Sequence, residues 1–246
     1  MRPLLTKARF CQGCWQQMHV PIPIRGPLSL PFRVVGIKIS QMHPNLCTIC
    51  ETMFTRVMRA KQKVIPATVL FADLRGYTEL SEKAEGLEIA DLLNGFYDEC
   101  AAAVWECDGI INKFIGDAVL AIFNFPMMRD DHVERAVQAG MDIQRRWAER
   151  QKSLSLDSIV GPMRVGVGIH TGRTSIGEVG RSYRDFTVVG PVVNMASRIQ
   201  NVARMGEVLV SEEVYRQVDR LFPGAPAREA TLKGIEKPVK TYVLAA

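Results

Sequence analysis

GIINKFIGDAVLAIF, residues 109–123, reads as two short apolar strands folded back on each other at a tight turn, Gly116–Asp117. ATVLFADL, residues 67–74, reads as a further buried strand with Asp73 near its end. Each aspartate therefore sits at the margin of an apolar run, where a carboxylate is costly to bury unless it is paired or binds a metal. Forty-three residues lie between the two. A shared magnesium site suits such a pair, because each ion takes one or two carboxylates together with substrate phosphates. A lone aspartate after a strand more often caps a helix or turn, so the rest of the chain has to decide.

Outward from these strands the pattern stays regular. Residues 79–106 read as one long helix with Leu80, Ala84, Leu87, Leu92, Phe96 and Val104 on its apolar face, and 130–150 as a second amphipathic helix. MRVGVGIHTG, TSIGEVG and DFTVVG read as strands separated by glycine turns. PVVNMASRIQNVA reads as a helix, EVLVS as a strand, SEEVYRQV as a helix and VKTYVLA as a closing strand. Alternating strands and helices with some hairpins predict an α+β sandwich and not a doubly wound parallel sheet. Residues 1–50 are rich in Pro, Gly and Cys without a sustained period. Residues 51–65 predict a connecting helix (Met53, Val57 and Met58 at near-helical spacing) that ends at Pro66. The expected division is a cysteine-rich module over 1–50, a linker over 51–65 and a larger domain over 66–246.

A chain of 246 residues accommodates one good-sized domain and a small appendage. It has no run of about 18 apolar residues, so no transmembrane helix is expected. Neither is a signal peptide, and the expected location is cytoplasmic. Charge divides unevenly: residues 1–63 carry ten Lys/Arg against Glu51 alone, and the remainder carries 21 against 25 acids. Two units with different partners follow. The basic part can meet anionic lipid, nucleic acid or the acidic body of its own chain. No basic stretch interleaved with aromatics supports nucleic acid.

Four blocks in order, VLFADLRGYT (69–78), INKFIGDAVLAIF (111–123), RVGVGIHTG (164–172) and VVGPVVNMASRIQ (188–200), resemble the class III nucleotidyl cyclase catalytic domain. The resemblance covers residues 67–246 and implies a ferredoxin-like βαββαβ fold. It implies that Asp73 and Asp117 bind two Mg²⁺ or Mn²⁺ ions, which clamp a triphosphate while the ribose 3′-hydroxyl displaces pyrophosphate from the α-phosphorus. Leu74, Arg75, Gly76, Tyr77 and Thr78 form the expected phosphate loop before a helix. Asn194 and Arg198, four apart on one helix face, resemble the pair that orients the ribose and stabilises the transition state. Lys233 resembles the lysine that meets the terminal phosphates.

Lys113 and Thr187 fall where relatives read the purine. A lysine donates to ring acceptors and a threonine hydroxyl can accept from an exocyclic amine, so ATP is expected over GTP. This resembles the adenylate-specific subgroup with Thr where others carry Asp; guanylate-specific members would show an acidic residue and a small polar or Cys residue. Pro191 departs from the polar residue of many relatives, and proline is acceptable in a first helical turn. In this family the site lies between two domains, so one domain per chain implies a homodimer with two sites. The competing readings are a guanylate or relaxed-specificity cyclase, and a non-catalytic nucleotide-binding signalling module.

Cys11, Cys14, Cys47 and Cys50 form two CxxC pairs with 32 residues between them. Four thiolates in two such knuckles suit tetrahedral Zn²⁺. An iron–sulfur cluster uses the same ligands; a disulfide or four free thiols is the plainer alternative. His19 and His43 are substitute ligands, and Cys100 and Cys107 read as small core residues.

Overall fold

The computed structural model describes residues 8–40, 42–53, 62–84, 86–152, 163–180, 182 and 185–245. The apolar runs of the sequence pair into one mixed sheet: β1 (Lys63–Arg75), β2 (Ile110–Ile115), β3 (Ala118–Phe123), β4 (Arg164–Val179), β5 (Asp185–Val189), β6 (Val208–Ser211), β7 (Ala227–Ala230) and β8 (Val239–Ala245). Their order is β2-β3-β1-β4-β6-β8-β7, with β5 beside the far half of β4. Only β4 and β6 run parallel. The first four strands with their helices make the βαββαβ unit.

Seen from β1, side chains alternate between two faces, as the pleat requires. Leu70, Ala72 and Leu74 face α5 (Gly86–Glu106) and α6 (His132–Gln151), where Phe96 meets Trp147 edge-on at 5.4 Å. Truncating so buried an aromatic costs about 3–5 kcal/mol. Ile65, Ala67, Val69 and Phe71 face the other way, onto Val192 and Ala196 of α7 (Pro191–Val202) and onto the N-terminal module. Among the described residues the other α-helices are α1 (Gln12–Met18), α2 (Leu30–Val34), α3 over 48–53, α4 (Tyr77–Ser81) and α8 (Glu212–Val218).

The module is held to this core by more than apolar contact. Trp105, near the end of α5, donates its indole N–H to Met42 O at 2.9 Å, and the buried His43 ring returns a contact from Nε2 to Trp105 O at 3.1 Å. Asn45 N donates to His43 Nδ1 at 3.1 Å, so the ring proton sits on Nε2 and neither nitrogen is left for a metal. His19 ends α1 in a left-handed conformation, exposed to solvent.

Four local expectations are corrected. The helix expected over 79–106 is broken at 82–84 into α4 and α5; Leu87, read as inward, is 81% exposed. MRVGVGIHTG and TSIGEVG form a single 16-residue strand, β4. Its glycines serve close approach and not turning: a Cβ at Gly172 would come 2.9 Å from Val192, and one at Gly168 would strike the backbone of Gln200, so α7 can lie directly on the strand. The linker helix cannot reach residue 65, because β1 begins at Lys63 and contains Pro66; residues 54–61 lie outside the described ones. Proline is tolerated there because β1 pairs with β3 only from Thr68 onward, so no ladder donor is missing on that side. β7 had no counterpart in the sequence reading.

Candidate active site

Asp73 lies near the end of β1, in register with Ala118 of β3 and Gly166 of β4. Asp117 occupies the β2–β3 turn, where Gly116 takes φ 59°. Two contacts hold that turn against β1 and α5: Leu74 N donates to Asp117 O at 3.3 Å, and Tyr97 of α5 donates its hydroxyl to Gly116 O. Tyr97 also stacks on Phe114 with ring centres 4.0 Å apart. The two aspartates are thus neighbours, and they repel. Burial, then the Asp117 charge, raises Asp73 to about 6, against the opposing pull of Arg75 and Gln200. A partly buried carboxylate beside a second one suits cations, and their oxygens are the hard donors that magnesium or manganese takes.

Arg75 is a structural partner here. Its Nη1 lies 3.5 Å from Asp73, while Nη2 donates to Gln200 O at the end of α7. Leu74 is buried and its N–H is committed to Asp117, so the expected phosphate loop rests on Gly76, Tyr77 and Thr78. Gly76 turns the chain at φ 91° into α4, whose first N–H groups have no intrahelical acceptor.

The two residues expected to read the base converge from two strands. Lys113 of β2 is ion-paired to Asp185 of β5, and Thr187, two residues along β5, donates to Asn112 Oδ1 at 2.9 Å. Beside them, a cleft of about 430 Å³ runs between α5 and β2, lined by Asn94, Tyr97, Trp105, Asn112 and Lys113 among others. Asp185 and Asn112 were missed by the sequence reading. The available signals were position alone: one lies two residues before Thr187 on the same strand face, the other next to Lys113.

Asn194 and Arg198 occupy the opposite side of α7 from the residues that bury it. At about 100° per residue their mean direction is about 180° round the helix from that of Val192, Ala196 and Gln200, the side that meets the sheet and Asp73, with the buried Ile199 flanking that side. Arg198 instead reaches the turn after Leu232: a Cβ on Gly234 would come 3.4 Å from its Nη2. The exposed Lys233 belongs to that same turn. Pro191 opens α7, as its fixed φ allows. One chain therefore brings together Asp73 with Asp117, Lys113 with Thr187, and Arg198 with the Lys233 turn. It does not bring Arg198 onto its own aspartates.

The cysteines converge fully. Cys11, Cys14, Cys47 and Cys50 are all buried, with their sulfurs within 4.8 Å of one another. Measured separations are 3.3 Å for Cys14–Cys50, 3.5 Å for Cys14–Cys47 and 3.6 Å for Cys11–Cys50. Each pair opens a helix, α1 and α3, and Cys47 N donates to Cys11 Sγ at 3.2 Å. Burial pushes the Cys14 thiol up to about 12, while hydrogen bonds from Cys11 and Cys50 draw Cys47 down. Four sulfurs this close could hold one metal ion between them. Cys100 and Cys107 are buried among apolar neighbours, as expected.

Residues 59–246 match the family described as the adenylate and guanylate cyclase catalytic domain. An adenylate cyclase of Anabaena cylindrica is 34% identical over 157 residues, 61% of this chain and 30% of that protein. Adenylate cyclase 1 of Rhizobium meliloti is 30% identical over 71% of this chain and 27% of its own length. The chain thus spans less than a third of either curated relative. Among solved structures, the adenylyl cyclase CyaB from P. aeruginosa superposes with a TM-score of 0.69 at 30% identity, covering 76% of this chain and 96% of that one. The guanylyl cyclase Cya2 superposes equally well, 0.69 at 28% identity over 74% and 93%. With the fold, the aspartate pair and the four blocks in agreement, the chain belongs to the adenylate and guanylate cyclase catalytic domain family.

Proposed function

We propose that the chain is an adenylate cyclase that converts ATP to 3′,5′-cyclic AMP and pyrophosphate. The observation that carries this reading is the pairing of Lys113 with Thr187 across β2 and β5, through Asp185 and Asn112. The ribose 3′-oxygen forms a bond to the α-phosphorus, its proton leaves, and pyrophosphate departs with the electron pair of the broken bond. Two divalent ions, Mg²⁺ or Mn²⁺, held by Asp73 and Asp117 would supply Lewis-acid charge to the triphosphate. Arg75 keeps Asp73 in place by bridging it to the end of α7. Asn194 orients the ribose, and Arg198 presents a permanent planar charge to the phosphoryl oxygens as negative charge builds. Lys233 and the N–H groups of Gly76, Tyr77 and Thr78 take the outer phosphates.

Because Asn194 and Arg198 face away from the aspartate side of α7, the complete site takes its aspartates from one copy and its other groups from a second. A homodimer with two equivalent sites follows. In the N-terminal module the sulfur separations approach the edge of about 3.8 Å that a tetrahedral Zn–S distance near 2.3 Å demands. An iron–sulfur cluster would interpose irons and sulfides and spread the thiolates wider. Zinc is the reading, with 1–50 as its module and 66–246 as the catalytic domain.

One observation favours guanine: the Asp185 carboxylate could accept the ring N–H of that base. It is engaged by Lys113, which leaves Thr187 to discriminate. Product formation from ATP and from GTP, with Mg²⁺ and with Mn²⁺, tests the proposal. Cyclic AMP from the wild type and none from Asp117→Ala is the expected result. Cyclic GTP as the main product would move the chain to the guanylate class. No product from a metal-replete dimer would leave a nucleotide-binding module.

A further inference from the structure

We infer that Asn112 is a specificity-determining positioning residue, which takes the proton of the Thr187 hydroxyl and leaves that oxygen able only to accept from a purine. The inference rests on the reading that the base lies against Lys113 and Thr187. Asn112 Nδ2 lies 3.1 Å from Phe186 O. A carbonyl oxygen carries no proton, so the amide nitrogen must face it, and the amide oxygen is thereby turned toward Thr187. At 2.9 Å from Oγ1 that oxygen can only accept, so the hydroxyl must donate. The other partner of the hydroxyl, Val188 O at 3.4 Å, is also an acceptor only. A hydroxyl has one proton. Once it points into the protein, lone pairs are all that Thr187 can offer a ligand.

The backbone is built for this arrangement. Adjacent residues of a regular strand point to opposite faces, yet Asn112 and Lys113 both reach β5. They can do so because β2 carries a bulge at this point: Ile111 pairs with Ala121 and Lys113 with Leu120, leaving Asn112 as the extra residue. Bulges re-aim side chains in this way.

The consequence lies at position 6 of the purine. Adenine carries an amine there and donates to Thr187; guanine carries an oxygen, which sets lone pair against lone pair. Lys113 cannot make this distinction alone, because an ammonium donates equally to the ring nitrogen of adenine or to the oxygen of guanine. Discrimination therefore falls on Thr187, and its polarity on Asn112. A mispaired polar group in such a site changes relative rates by about ten- to a hundredfold.

The test begins with the wild-type protein and three triphosphates that differ along the N1–C6 edge: ATP (N1 lone pair, 6-amine), purine riboside triphosphate (N1 lone pair, 6-hydrogen) and ITP (N1–H, 6-oxygen). Variants then separate the contribution of Thr187 from that of Lys113 at N1. The expected order of kcat/KM is ATP, then the purine, then ITP. ITP equal to or better than the purine would overturn the inference without any variant. Asn112→Leu, which keeps the volume and removes the acceptor, should narrow the gap between ITP and the purine about tenfold. In a Thr187→Val background the same substitution should change nothing. A merely structural Asn112 would lower all three substrates alike and do so in both backgrounds. Equilibrium affinities for 3′-deoxy-ATP and 3′-deoxy-ITP, which cannot cyclise, should show the same pattern. A wild type that prefers GTP overturns this inference together with the adenylate reading. A wild type that prefers ATP, with a ratio indifferent to Asn112, overturns this inference alone.

Discussion

The aspartate pair and the cysteine tetrad both gather groups that repel when charged, and they solve the problem in opposite ways. The tetrad supplies four sulfurs, all buried and mutually within 4.8 Å, which is a complete tetrahedral shell. The pair supplies two partly exposed carboxylates, where a hard cation wants six or more oxygens. A closed shell holds its ion and serves the fold. An incomplete one would have to be finished by water and substrate phosphate, which suits an ion held for chemistry. Completeness of the donor set, more than the number of like charges, separates a structural centre from a catalytic one.

Breaking the catalytic side should have the largest effect. Asp117→Ala should lower cyclase turnover on the order of a thousandfold, since metal charge at the triphosphate contributes several kcal/mol. Zinc content, read by elemental analysis, should stay as in the wild type. A fall in zinc would mean that the two centres are not independent.

Breaking the structural side should cost stability. Cys50→Ser should release the zinc and lower the melting temperature by about 10 °C, corresponding to several kcal/mol in a chain of this size. Hydrogen exchange should rise over residues 8–53 and at Trp105, where the module is pinned to α5. Exchange unchanged there would show that the module holds itself without the metal.

The two regions should also answer pH with opposite signs. Asp73 is raised in the folded state to about 6, so its contribution is favourable below the unfolded value near 3.8 and is lost as pH rises through 6. In metal-free protein, Asp73→Asn should therefore stabilise by about 1–3 kcal/mol at pH 7.5 and not at pH 4. Equal stabilisation at both would place its origin elsewhere. His43 is lowered, by burial first and by Arg25, against Trp105 O and Asp108. Its contribution is present above the unfolded value and is lost as pH falls through the folded one. Acidification should loosen the module while it relaxes the aspartates, and amide exchange measured separately in the two regions reads this directly.

The smallest effect concerns the joint between the regions. Trp105→Phe removes the indole N–H from Met42 O and should cost about 1 kcal/mol of stability. The effect should show in melting and hardly in zinc content.

Much of this was legible in the chain as written. The unbroken apolar run before Asp73, a period near 3.6 in α6 and α7, and the paired CxxC knuckles each follow from local chemistry. The two aspartates needed the four sequence blocks as well, because a lone carboxylate after a strand more often caps a helix or turn. Glycine misled where it served packing: Gly172 read as a turn former at the end of a strand, yet it lies inside β4 so that α7 can approach. Leu87 misled because an apolar residue fits a helical period whether or not anything covers it.

The sequence by itself offered candidate metal ligands and most of the strands and helices, since these depend on side-chain type and near-neighbour spacing, and its resemblance to a family offered the candidate base readers. Only the tertiary structure decided how they combine. It set Asn194 and Arg198 on the far side of α7 from Asp73, laid the cysteine module against α5 through Trp105 and His43, and bulged β2 so that Asn112 meets Thr187. The hydrogen bonds among those relations join residues 62 to 75 positions apart. Their geometry comes from strand register and helix packing, which no local pattern encodes.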